Sequence, residues 1–235
     1  MQKTFSTATA LLFLISCASH PQRTVSQIDN PSSTVWVDSK VIRFKSIIPG
    51  PPALHSPESD QDFATLETLQ KNRTAAECAR AKEEQSLINP ARFFQEPRGP
   101  LTEAEAQATL PFINEAMEKS RQVLWDAKNF WSRPRPYITD KKLHPCVKLE
   151  NSSAYPSGHS GTGELVARIL SDVFPSKKEA LLARGVEIGQ DRLIGGVHHP
   201  SDVRDARILV DRVYEELQQN PEYLLKVETL KKTVQ

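Results

Sequence analysis

The chain has 235 residues, a quarter of them charged and 38% hydrophobic, with 30 basic and 29 acidic side chains. That length suits one medium domain with a proper core, and the composition excludes a disordered chain or one embedded in a membrane. A formal net charge of +1 also excludes the broad basic surface on which nucleic-acid binding rests.

The one long apolar run, residues 8–18, follows Lys3. It is shorter than the ~20 residues a membrane-spanning helix needs, so residues 1–16 read as a signal peptide. The end of the run, Leu14-Ile15-Ser16-Cys17, resembles a bacterial lipobox, whose cysteine is lipidated and becomes the first residue of the mature chain. An ordinary secretory signal cut near Ala18 is the alternative. Loss of residues 1–16 leaves 29 basic and 29 acidic side chains. The expected location is therefore the periplasm or cell surface, with a lipid on Cys17 as the anchor to the bacterial outer membrane. Cys78 and Cys146 are the two cysteines left. In an oxidising compartment a disulfide between them and two separate thiols both stay open. Neither lies in a Cys-x-x-Cys pair, which argues against a zinc site.

Residues 17–56 are rich in proline, serine and threonine and read as an extended arm or linker. Val35-Trp36-Val37 and the stretch 41–44 have strand character, but two isolated strands are marginal without a sheet, so the arm is expected to lie across a helical body. That body spans 57–235. After Ser56-Pro57, the positions Phe63, Leu66 and Leu69 recur at helical spacing. Thr74 with Glu77 and Thr102 with Glu105 make two capping-box patterns. Between them, Phe93 and Phe94 sit in a connector and are expected to plug the core.

The helix from Thr102 is expected to continue to Trp131, restarted or kinked at Pro111, and to present Lys128 near its end. Residues 137–155 read as a loop. Ser157 stands at an N-cap position before the apolar stripe Leu165, Val166, Ile169, Leu170 and Val173. Ser176 and Ser201 are expected to cap the next two helices, and Pro221 to open a terminal one. With no repeats and no convincing sheet, the fold class is all-α, a single-domain helical bundle with an extended N-terminal arm. Its apolar stripes leave a homo-oligomer open.

The chemistry concentrates in residues 156–202, with two cations upstream. A phosphate ester needs its charge neutralised, an in-line nucleophile and a proton for the departing oxygen. Lys128, Arg135 and Arg192 can supply the charge, the arginines through planar paired donors. Ser157 and Gly158 lie at a helix start, where free N–H groups and the helix dipole favour an anion by about 0.3–1 kcal/mol per interaction. Asp202, four residues after His198, can hold one imidazole nitrogen as a donor and leave the other nucleophilic. His159 lacks such a carboxylate and is the better proton donor, with an ordinary pKa near ~6.5. His199 is taken as a non-catalytic neighbour, and adjacent histidines are expected to point in different directions. Tyr155, Trp131 and Tyr137 are expected to pack at the rim or core.

Lys128 and Arg135-Pro136 in KNFWSRPRP, the PSGH of 156–159, and Arg192, His198 and Asp202 in DRLIGGVHHPSD resemble the three-part signature of the type 2 phosphatidic acid phosphatase superfamily, shared by the vanadium haloperoxidases. Within it the chain is most similar, over about 60–223, to the bacterial class A non-specific acid phosphatases. The resemblance implies an all-helical phosphoric monoester hydrolase that needs no cofactor or metal and acts on small phosphomonoesters. It implies His198 as the nucleophile that becomes a phosphohistidine, His159 as the acid and Asp202 as the orienting group. It also implies phosphate binding by Lys128, Arg135, Ser157, Gly158, His159 and Arg192. The choice between the histidines rests chiefly on this resemblance. One position departs: Asp191 stands where the family usually has Ser, beside Arg192, so any effect is expected on the positioning of that arginine, with no reacting group lost. The alternatives are a vanadate-dependent haloperoxidase, against which the short chain argues, a lipid or pyrophosphate phosphatase acting near the membrane, and a non-catalytic phosphate-binding lipoprotein.

Overall fold

In the computed structural model, the described residues are 35–86 and 90–234. The leader 1–16, Cys17 and the first half of the arm lie outside them. The arm from Val35 onward carries no strand. It makes one short helix, α1 (Phe44–Ile47), and otherwise runs as irregular chain, because the described residues offer no sheet to pair with it. It does lie across the body. The Trp36 and Val37 N–H groups both donate to Lys119 O at 3.2 Å, and the Trp36 ring packs against Phe112 and Tyr223 at 6.0 and 5.7 Å.

Helix α2 (Pro57–Asn72) starts at Ser56, whose hydroxyl accepts from Ser59 N, with proline at the first position. Helix α3 (Ala75–Glu83) starts on the complete Thr74–Glu77 capping box. A 3-10 turn (Pro90–Phe94) follows; of the two phenylalanines expected to plug the core, Phe94 is fully buried and Phe93 packs half-buried against the core. The second capping box, Thr102–Glu105, opens α4 (Glu103–Ser120).

Pro111 lies inside α4, and the interruption comes at Arg121, before α5 (Gln122–Phe130). Proline deprives the carbonyl four residues earlier of its donor. Here Gln107 and Pro111 are both exposed, so that carbonyl faces water and the helix continues. The first residues of the loop expected over 137–155 form one helical turn, α6 (Pro136–Thr139), and irregular chain begins after it.

Helix α7 (Gly158–Val173) is the centre of the fold. Ser157 Oγ accepts from Ser160 N, and of its residues only Gly158, Arg168 and Asp172 escape full burial. Each Leu, Ile or Val of its stripe contributes roughly 1.5–3 kcal/mol by leaving water. It packs most extensively on α8 (Lys178–Ile194) and then on α9 (Pro200–Leu217). The close approach of α7 and α8 depends on Gly163 and Gly185: a Cβ on Gly185 would meet Gly163 O at 2.9 Å and Ala167 Cβ at 2.8 Å.

Two expected caps are displaced. Ser176 lies within a 3-10 turn (Pro175–Lys177) that runs directly into α8 with Lys177 as N-cap, because Pro175 starts the turn one residue too early for a serine cap. Helix α9 is capped at His199, with Pro200 as its first residue, so Ser201 falls inside the first turn. Asn220 Oδ1 accepts from Tyr223 N at the start of α10 (Pro221–Val234). The described residues are thus helical and contain no strand, and among them no helix is long and apolar enough to cross a membrane.

Candidate active site

The N-terminus of α7, the end of α5, the start of α6, the last turn of α8 and the start of α9 meet, and with them come the eight site residues predicted from sequence. The Ser157 N–H donates to Asp202 O at 2.9 Å, which ties the start of α7 to the start of α9. The Gly158 and His159 N–H groups open α7 and have no helical carbonyl behind them. Lys128, buried at the end of α5, donates to Ser153 O and, at 3.2 Å, to Pro156 O. Its Cε lies 3.9 Å from where a Gly158 Cβ would stand. Burial, with the neighbouring Arg135 charge, pushes the Lys128 ammonium down to about 8.

His198 is almost fully buried and held at both nitrogens. Arg135 Nη1 lies 2.8 Å from His198 Nε2, and Asp202 Oδ2 lies 3.4 Å from His198 Nδ1. A guanidinium can only donate and a carboxylate only accept, so Nε2 carries the lone pair and Nδ1 the proton. Burial and then the Arg135 charge hold the imidazole well below its ordinary pKa. It is neutral, with its Nε2 lone pair accepting from Arg135.

His199 does not turn away from its neighbour. It is buried, its ring meets Phe63 edge-on at 5.3 Å, and its Nδ1 and backbone N–H lie 3.0 and 2.7 Å from the same Asp202 Oδ2. The other oxygen, Oδ1, accepts from Arg133 Nη1 at 2.6 Å. Burial alone would raise the Asp202 carboxyl, but the hydrogen bonds of His198 and His199 and the Arg133 charge outweigh it. Together they keep Asp202 well below the usual carboxylate range. Asp62, from α2, completes this support by accepting from Arg133 Nη2 at 3.0 Å and from Ser201 N at 3.0 Å.

Arg135 and Arg192 are both buried and are bridged by one carboxylate, Glu150. Arg192 Nη2 donates to Glu150 Oε1 at 2.5 Å and Arg135 Nη2 to Glu150 Oε2 at 2.6 Å. Among the described residues, Arg192 Nε and Nη1 are buried without a hydrogen-bond partner. Such unspent donors are costly in the interior and are what an incoming anion would satisfy.

His159 Nε2 lies 3.0 Å from Gln85 O. A carbonyl only accepts, so Nε2 carries the proton. Burial, followed by the Arg192 charge, pushes this imidazole down to about 3, well below the value assumed from sequence. The free protein therefore holds both histidines neutral. His159 and Glu150 border an open groove of about 720 Å³ that Gln85, Lys148 and Asn151 also line.

Asp191 does not face the site. It is fully buried and takes Arg80 of α3 on both oxygens, at 2.6 and 2.7 Å. Cys78 of α3 and Cys146 of the loop before α7 are joined by a disulfide, which ties that loop down. Tyr155 is buried and its hydroxyl donates to Asp205 at 2.7 Å. Tyr137 holds the Glu150 backbone, donating to its carbonyl at 2.8 Å and accepting from its N–H at 3.1 Å. Glu150, Arg133 and Asp62 are site residues that the sequence did not single out. Their partners are too distant along the chain to leave a spacing signal.

The family model of the PAP2 superfamily matches residues 109–208, which covers all eight site residues predicted from sequence. The non-specific acid phosphatase of Providencia stuartii is 30% identical over 202 residues, 83% of this chain and 82% of that protein. The non-specific acid phosphatase of Salmonella typhimurium is 35% identical over 101 residues, 41% of this chain and 40% of its own length. A transmembrane PAP2-type phosphatidylglycerolphosphate phosphatase from Bacillus subtilis, 19% identical, superimposes at a TM-score of 0.44 over 77% of this chain and 90% of its own. The chain belongs to the PAP2 superfamily.

Proposed function

We propose that the protein is an acid phosphatase that hydrolyses phosphomonoesters without a metal, through a phosphohistidine on His198. The observation that carries this reading is the orientation of His198: Nδ1 on Asp202 and Nε2, with its lone pair, beside Arg135. A binding protein has no use for an imidazole presented in this way.

The phosphoryl group binds between Lys128, Arg135, Arg192 and the free amides of Gly158 and His159. The charge a metal would bring comes from the three cations. His198 Nε2 attacks phosphorus in line, a P–N bond forms, and the P–O bond to the alcohol breaks. His159 gives the leaving oxygen its proton. Water then attacks the phosphohistidine, His159 takes its proton, and the P–N bond breaks to release phosphate. Asp202 stabilises the imidazolium that forms on His198. Burial first, and then the Arg192 and Arg135 charges, hold His159 low in the free protein. A bound phosphate dianion offsets those charges and adds its own attraction, so substrate raises the proton affinity of His159 toward its acid form.

The testing experiment is turnover of p-nitrophenyl phosphate at mildly acidic pH with EDTA present. Wild type turns over and His198→Ala loses at least about 10²-fold in kcat. No wild-type turnover, or an undiminished mutant, contradicts the reading. Peroxide and bromide assays after vanadate loading separate a haloperoxidase. The proposed location is the periplasm or cell surface, with the chain anchored to the outer membrane through a lipid on Cys17. Wild type then incorporates labelled palmitate and Cys17→Ser does not; equal labelling removes the anchor.

A further inference from the structure

Glu150 is not a motif residue, yet it occupies the centre of the site. Each of its carboxylate oxygens takes one arginine, at 2.5 and 2.6 Å, in the way two oxygens of a phosphate would. Those are the same two arginines to which the phosphate is assigned above. Each gives Glu150 one nitrogen, and Arg192 keeps two buried donors unused. Glu150 stands outside any helix, its backbone pinned by Tyr137. Its side chain is 22% exposed and borders the groove of about 720 Å³. The carboxylate therefore has both a reason to leave the arginines and a place to go.

We propose that Glu150 is the protein's own occupant of the phosphate seat, bound to Arg135 and Arg192 in the free state and displaced into the adjoining groove when phosphate arrives. The inference rests on the phosphatase reading and adds to it a built-in competitor. If Glu150 leaves the arginines free in about one molecule in ten, apparent phosphate affinity falls about ten-fold relative to a site without it.

Displacement also couples binding to pH. Facing Glu150 are Arg135 at the start of α6, Arg192 of α8, His159 of α7 and Lys128 of α5, while Lys82 and Glu83 of α3 and Lys148 line the groove beside it. In the free protein, burial would raise the Glu150 carboxyl, but the two arginines outweigh it and hold it below its ordinary value. Once displaced, it loses both arginines to a phosphate dianion that repels it, and its proton affinity rises. Phosphate binding should thus draw a proton from solvent onto Glu150, and affinity should grow as pH falls.

Isothermal titration of inorganic phosphate tests this with wild type, Glu150→Gln and Glu150→Asp, in two buffers of different ionisation enthalpy at a pH of about 6. Glu150→Gln should bind about ten-fold tighter and take up fewer protons, by as much as one per site. Glu150→Asp is too short to reach both arginines and should fall between. It also carries the test if the glutamine variant does not fold. A structural role for Glu150 gives the opposite result: weaker phosphate binding with proton uptake unchanged. Wild-type binding that neither folded variant tightens overturns the inference and leaves the phosphatase reading standing. No phosphate binding by any of the three overturns both.

Discussion

The guanidinium of Arg133 lies 2.6 Å from Asp202 Oδ1, on the opposite carboxylate oxygen from the one that receives His198 and His199. Its other end reaches Asp62 at 3.0 Å. The carboxylate that orients His198 is therefore itself oriented from α2. This pair is buried, and removing one partner of a buried pair costs about 3–5 kcal/mol because the other charge is left unmatched. Arg133→Ala should lose stability on that scale, read by urea denaturation. In the fraction that remains folded, kcat should fall while phosphate affinity stays near wild type. Arg133→Lys keeps the charge but not the two-pronged geometry and should sit between. An unchanged kcat in folded Arg133→Ala would mean that Asp202 needs no such support.

Asp191 carries the one departure from the family signature, and its role here is structural. Asp191→Ser should lower stability by removing both hydrogen bonds to Arg80, with kcat/KM within a few-fold of wild type. Arg80 is partly exposed and can return to water, so the loss should be about 1–3 kcal/mol. A double-mutant cycle with Arg80→Ala should recover most of it as coupling. A large loss of kcat/KM at unchanged stability would contradict this.

Acid should destabilise the free protein more than its phosphate complex. His159 is held down to about 3 and His198 well below its ordinary value, against about 6.5 in the unfolded chain. As pH falls through that window the unfolded chain binds protons that the folded one refuses, so stability drops. Asp202 and Glu150, both depressed, add stability that is present above about 4 and lost as pH falls through their folded values. Glu84, pushed up to about 7 by burial, takes up a proton in the folded chain over the same window and offsets part of this loss. Two histidines outweigh one carboxyl, so the melting temperature should fall on balance from neutral pH downward, by about 2–4 °C for each kcal/mol lost. Phosphate should flatten the decline by favouring protonated His159. A melting temperature constant between neutrality and pH ~4 would refute the neutral histidines.

The disulfide closes 68 residues of chain and pins the loop that carries Glu150. By chain entropy alone, a loop of that size is worth about 4 kcal/mol. Reduction, or Cys78→Ser with Cys146→Ser, should lower stability on that order and raise KM more than it lowers kcat, since the reacting histidines sit on other elements. Equal melting temperatures with and without reductant would show that the bond contributes nothing to stability.

What the sequence disclosed follows the range of the interactions. The caps at Thr74, Thr102 and Ser157 are made with residues three positions away, so composition and spacing exposed them. The α7 stripe was legible for the same reason. His198 and Asp202, one helical turn apart, were too. Glu150 and Arg133 were not, because their partners lie 15 to 71 positions away, and a lone charged residue reads as a solvated one. Asp191 stood out only as a departure, since its partner Arg80 is 111 positions away. The low proton affinity of His159 was hidden because it comes from burial and from Arg192, neither of which leaves a mark in PSGH. Ser176 and Ser201 were misread because a proline beside each shifts the start: Pro175 opens a 3-10 turn that holds Ser176 and leaves Lys177 as the α8 N-cap, and Pro200 moves the α9 cap two residues back to His199.

The central claim is that His198 carries the phosphoryl group. Wild type mixed with a radiolabelled phosphomonoester and quenched in alkali, which preserves phosphohistidine, should yield a labelled peptide containing His198. His198→Ala should yield none, and His159→Ala should accumulate label if its base role in hydrolysis is the slower loss. Label on any other residue, or turnover without a trapped phosphoenzyme under conditions that trap it in a known phosphohistidine enzyme, would contradict the account.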